Sequence, residues 1–108
     1  MGAMSSLRMP QSLTKRLRFE TGEAVLQYEM LQEQAASLGR QGDRLEKALA
    51  ALSAYTGDAE GRAALVREAA DAAWCFFIQR EVIGLRDRTA VIAQYGIPKE
   101  VLNRIGAR

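Results

Sequence analysis

Tyr28, Leu31, Ala35, Leu38, Gly42, Leu45, Leu49 and Leu52 follow one another at alternating steps of three and four. That spacing runs through four heptads without a skip and marks one side of a long helix. The pattern predicts helix 1 from about Gly22 to about Tyr55, roughly 50 Å at 1.5 Å per residue. Thr21 is the expected N-cap, and Thr56-Gly57-Asp58 the expected stop. Helix 2 is expected from Asp58 or Ala59 to near Gly84, with Asp58 as its cap. Asp87 caps a short helix 3, about Arg88 to Tyr95, and Gly96 stops it. Pro98 opens helix 4, which ends near Ile105. The fold class is all-α: a long antiparallel helical hairpin plus two short C-terminal helices, completed as a homodimeric bundle.

The connection between helices 1 and 2 is short, which folds them back on each other. A turn centred near residue 58 sets residues 76 and 77 opposite 39 and 40. Trp74, Phe76 and Phe77 then face the small residues Ala35, Ala36, Gly39 and Gly42. Large rings over a nearly bare backbone fill a tight helix pair without voids. On this reading Gly39 and Gly42 give up about 1 kcal/mol each of helix propensity for room.

At 100° per residue, the second half of helix 2 is apolar most of the way round. Only Glu68, Asp71, Cys75 and Gln79 form a narrow polar strip. Helix 1 covers one side, so the short helices or a second protomer must cover the rest. Arg80 falls within the main apolar face and needs a carboxylate. Glu29 and Glu33 on helix 1 are the candidate partners, with Glu81 and Asp87 as local alternatives. A structural ion pair is the plainest role; an anion site or a side chain reaching to solvent are the others.

Composition narrows the chemistry. The 108 residues are 48% hydrophobic and 26% charged, with two prolines, which fits one small helical domain, 22–108. Residues 1–21 read as a flexible basic leader, with Arg8, Lys15, Arg16 and Arg18 against Glu20 alone. Such an arm suits an acidic partner, a membrane or RNA. The remainder is nearly neutral and has little pull on nucleic acid. Met1-Gly2 with Ser6 fits the loose myristoylation pattern. No apolar run approaches the ~20 residues of a membrane span, and one cysteine, Cys75, points to a reducing, cytoplasmic setting.

There are no histidines, so the commonest general base and metal ligand are missing. No zinc constellation, phosphate loop or nucleophile–base pair appears, and no catalytic, cofactor or metal residues are assigned. Residues 88–105 have the outline of a helix-turn-helix, with Gly96 at the turn; Lys99 and Arg104 would then contact nucleic acid. Two functions follow. The leading one is a non-catalytic protein-interaction or structural module acting as a homodimer, its other partners unnamed. The alternative is a DNA-associated regulator using segment 88–105.

Trp74-Cys75-Phe76-Phe77-Ile78-Gln79-Arg80-Glu81, then Gly84-Leu85-Arg86-Asp87 and Tyr95-Gly96-Ile97-Pro98-Lys99-Glu100-Val101-Leu102, resemble a family of small bacterial helical proteins of unknown function. Tyr28-Glu29 and Ala35-Ala36-Ser37-Leu38-Gly39-Arg40 resemble it too. The similarity spans about Ala24 to Gly106. It implies a compact, helical, bacterial protein and carries no site residue across.

Overall fold

The computed structural model describes the backbone of residues 11–106 and the side chains of residues 21–106. The first ten residues, with the myristoylation pattern and Arg8, lie outside the described residues. Among the described residues four helices follow one another: α1 Gln11–Ala54, α2 Ala59–Val82, α3 Arg88–Tyr95 and α4 Lys99–Leu102. No strand occurs among the described residues.

Helix α1 starts eleven residues before the expected Gly22. Thr21 is therefore inside the helix and not its cap, and Gly22 does not break it. One glycine costs about 1 kcal/mol, which is small against a 44-residue run. The chain divides into two compact units, Met1–Glu33 and Gln34–Arg108.

In the first unit, residues 21–33 are helical and all exposed. Val25, Leu26, Tyr28, Met30 and Leu31 stand out, with 50 to 62% of their surface open.

The second unit holds the core. Leu45, Ala48 and Leu52 of α1 pack with Ala69, Ala70, Ala72, Ala73, Phe76 and Phe77 of α2. Val91 of α3, Ile97 of the connection after it and Val101 of α4 close it. The alanines let the helices approach, and the two phenylalanines supply the bulk. Leu49 and Val66 pack at the margin, as the hairpin register requires.

Short-range chemistry sets each boundary. The Asp58 carboxylate accepts from the Gly61 N–H at 2.8 Å and caps α2. The Tyr55 hydroxyl donates to the same oxygen at 3.0 Å. Gly57 and Gly61 both lie against the Tyr55 ring, where a Cβ at either position would collide with it. The two glycines thus leave the room that the Tyr55 ring occupies at the turn. At the other end of α2, Gly84 adopts φ +91°. Leu85 N–H donates to Arg80 O at 2.9 Å and Gly84 N–H to Glu81 O at 3.0 Å, a Schellman closure. Asp87 caps α3 through the Thr89 N–H at 3.0 Å. Gly96, at φ +64°, ends that helix, with the Ile97 N–H reaching Ile92 O at 3.1 Å. Helix α4 is shorter than expected: it begins after Pro98, stops at Leu102 and gives way to turns.

Candidate functional site

Gly42 is the small residue beneath the aromatic group. It is buried, and a Cβ there would stand 3.4 Å from Phe76 Cε1 and 2.8 Å from the Tyr95 hydroxyl. Phe76 and Tyr95 meet edge to face, with centroids 5.3 Å apart at 71°. The pairing of residues 42 and 76 puts the hairpin's mirror point near residue 59, about one residue from the expected 58.

The expected pairing at Gly39 does not form. Gly39 has nothing within 4 Å of the point where a Cβ would stand and is exposed, as is Ala35. Gly39 stands about 90° round the helix from the middle of the strip formed by Leu38, Gly42, Leu45 and Leu49, whereas Ala35 is on that strip but precedes the stretch of α1, from Leu38 on, that packs into the core. Trp74 is half-buried, and its ring edge would lie 3.9 Å from a Cβ on Gly106, in the C-terminal segment. Phe77 is 2% exposed inside the core, and the Arg88 guanidinium lies 4.8 Å over its ring.

Arg80 is half-buried rather than enclosed. It donates to the Asp87 backbone carbonyl at 3.3 Å and sits 5.9 Å over the Phe76 ring. Residue 87, one of the two local alternatives, supplies the contact through its backbone and not its carboxylate. Glu29 and Glu33, the expected partners, lie in the first unit and are exposed. Glu81, the other local candidate, pairs with Arg88 at 2.9 Å.

A different arginine joins the two long helices. Arg44 Nη2 meets Asp71 Oδ2 at 2.8 Å and Glu68 Oε1 at 2.9 Å. Its Nη1 points at Cys75 Sγ, 3.7 Å away. The Asp71 bond, followed by Glu68, holds the guanidinium above its ordinary range despite some desolvation. This clamp uses three of the four residues of the polar strip on α2. The strip itself is legible in the sequence, but nothing in the spacing of Arg44 distinguishes it from Arg40. Arg62 near the start of α2 pairs with Glu100 of α4, and Glu100 holds that guanidinium's pKa up.

Beside that ion pair lies an open cleft of about 810 Å³, bordered by Glu46, Ser53, Arg62, Gln94, Tyr95 and Glu100. Arg62 and Glu100 neutralise each other at its edge. Among the described residues, no group of three or more His, Cys, Asp or Glu could hold a metal ion. Among them too, no helix is long and apolar enough to cross a membrane.

In segment 88–105 the second helix is a single turn of four residues. Val101 is fully buried, Glu100 is tied to Arg62, and Lys99, at the start of that turn, and Arg104, just after it, are exposed. A recognition helix must lie along a groove and present several side chains to base edges. One turn offers little of that.

The arrangement thus offers interhelical clamps, a filled aromatic nest and an uncovered apolar stretch on α1. No curated protein and no solved structure matches the chain. A family model described as a family of unknown function, DUF6665, matches residues 4–108. With nearly its whole length inside that match, the chain belongs to this family.

Proposed function

We propose that the protein is a non-catalytic interaction or structural module that works in the cytoplasm as a homo-oligomer, most simply a homodimer. One observation carries this reading: five large apolar side chains stand at least half exposed within seven residues of α1. Isolated exposed leucines are ordinary, but a clustered run on one helix marks a contact surface. A 24-residue α2 can cover at most 24 of the 44 residues of α1, so the pattern of α1 calls for a further helix. Consistent with a non-catalytic role, the sequence has no histidine, and the carboxylates of Glu68, Asp71, Glu81 and Glu100 are engaged with arginines.

Light scattering across a dilution series tests the proposal. The expected result is a mass of two chains or more at high concentration that falls towards 11.9 kDa on dilution. A mass of one chain at every concentration would remove the reading. The geometry of segment 88–105 does not favour the DNA-binding alternative; retention of DNA on a filter at moderate salt would revive it.

A further inference from the structure

The cleft beside the Arg62–Glu100 pair combines an apolar lining with an unpaired charge of one sign. Its volume, about 810 Å³, lies within the roughly 300–1,000 Å³ of small-ligand sites. Glu46, Leu49 and Ser53 border it from α1, at steps of three and four that put them on one face. Tyr95 and Pro98 border it from the end of α3 and the connection that follows. The Tyr95 hydroxyl reaches α1 at Gly42, one turn before Glu46. Leu49, Tyr95 and Pro98 are half-buried, and they supply apolar surface between the polar groups.

Three charged side chains border the cleft: Glu46, Arg62 and Glu100. Arg62 and Glu100 engage each other. Glu46 is exposed and has no ion pair or side-chain hydrogen bond among the described residues. Ser53 and Gln94, both exposed on the border, add oxygens that accept hydrogen bonds. An anionic ligand would meet Glu46 unscreened and find Arg62 already taken. A cation on an alkyl stem suits both features, because its methylenes cover apolar surface while its charge stays on the carboxylate. We propose that this cleft holds an alkylammonium group, with its stem against Leu49, Tyr95 and Pro98 and its charge on Glu46. A lysine side chain of a partner protein and a free polyamine share that chemistry. The inference uses the second unit alone and does not depend on the homo-oligomer reading.

Amide shifts of the full-length chain, followed by NMR at low salt, test it. N-acetyl-lysine amide is added in one titration and spermidine in another. Saturable shifts are expected, largest at residues 46–53 and 94–97. Glu46→Gln is expected to weaken binding by up to about fivefold, the size of one exposed ion pair. Asp43→Asn removes another exposed carboxylate of α1, one that borders a different groove, and is expected to leave binding nearly unchanged. Saturation by the lysine derivative supports the inference with a partner's side chain as occupant. Saturation by spermidine alone supports it with a free polyamine. Saturation by neither amine, or a Glu46→Gln loss no larger than that of Asp43→Asn, would overturn it.

Discussion

Phe76 stacks over the bare backbone of Gly42, its Cε1 3.4 Å from where a Cβ would stand, and Tyr95 closes the same spot from α3. Three helices meet at one missing side chain. Gly39, a turn away, meets nothing. The two glycines should therefore respond in opposite directions. Gly42→Leu is expected to destabilise by about 1–3 kcal/mol through overpacking. Gly39→Ala is expected to stabilise by about 0.5–1 kcal/mol through helix propensity alone. Urea midpoints of the two variants check this; a loss of stability in Gly39→Ala would mean that the open side of the helix is covered.

Phe77 fills the core from α2 at 2% exposure, with the Arg88 guanidinium above its ring. Phe77→Ala is expected to cost about 3–5 kcal/mol, the sum of lost transfer energy and the cavity left behind. Thermal or urea unfolding reads it directly, and an unchanged midpoint would contradict the packing described.

Gln41 carries a buried side-chain oxygen, Oε1, with no hydrogen-bond partner. An unsatisfied buried acceptor costs about 1–3 kcal/mol. Gln41→Met keeps the length and removes the polar atom, so it should raise stability by about 1 kcal/mol. A fall in the unfolding midpoint would show that the amide is satisfied in solution.

Asp58 links pH to the interhelix turn. The Gly61 N–H, then the Tyr55 hydroxyl, stabilise its charged form and hold its pKa below the ordinary value of 3.8. Its contribution is therefore full above the ordinary carboxylate pKa and is lost as pH falls through the lower folded value. Asp58→Asn keeps an acceptor for the Gly61 N–H and cannot titrate. The midpoint difference between wild type and this variant should shrink as pH is lowered below about 4. A difference that stays constant from pH 6 to pH 2 would contradict the role given to this carboxylate.

Much of the hairpin is legible in the sequence because its causes are local or periodic. Gly42, Leu45, Leu49 and Leu52 follow the heptad, and Asp58, Gly84, Asp87 and Gly96 are punctuation whose chemistry needs only their neighbours. The α2 stop at Gly84 follows from its positive φ, which few other residues adopt at low cost. Gly39 faces outward because mirror symmetry fixes register only to about a turn, and helical phase then decides which glycine points inward. Trp74 borders the segment around Gly106, whose path no periodicity encodes. The Arg44 clamp and the Tyr55 ring against Gly57 and Gly61 depend on side-chain reach across the turn, which spacing alone does not specify. The α1 start at Gln11 is hidden because Pro10 and the polar residues after it look like a leader, while propensity summed over 44 residues outweighs them.

Hydrogen exchange at two protein concentrations bears most directly on the claim that another copy covers the first half of α1. Unpacked helix in water is marginal, whereas amides behind a packed core open only rarely. Protection of residues 21–33 should rise with concentration, while that of residues 42–52 and 69–77 stays constant. Equal exchange of residues 21–33 at both concentrations, across a range in which light scattering would detect dissociation, would contradict the account.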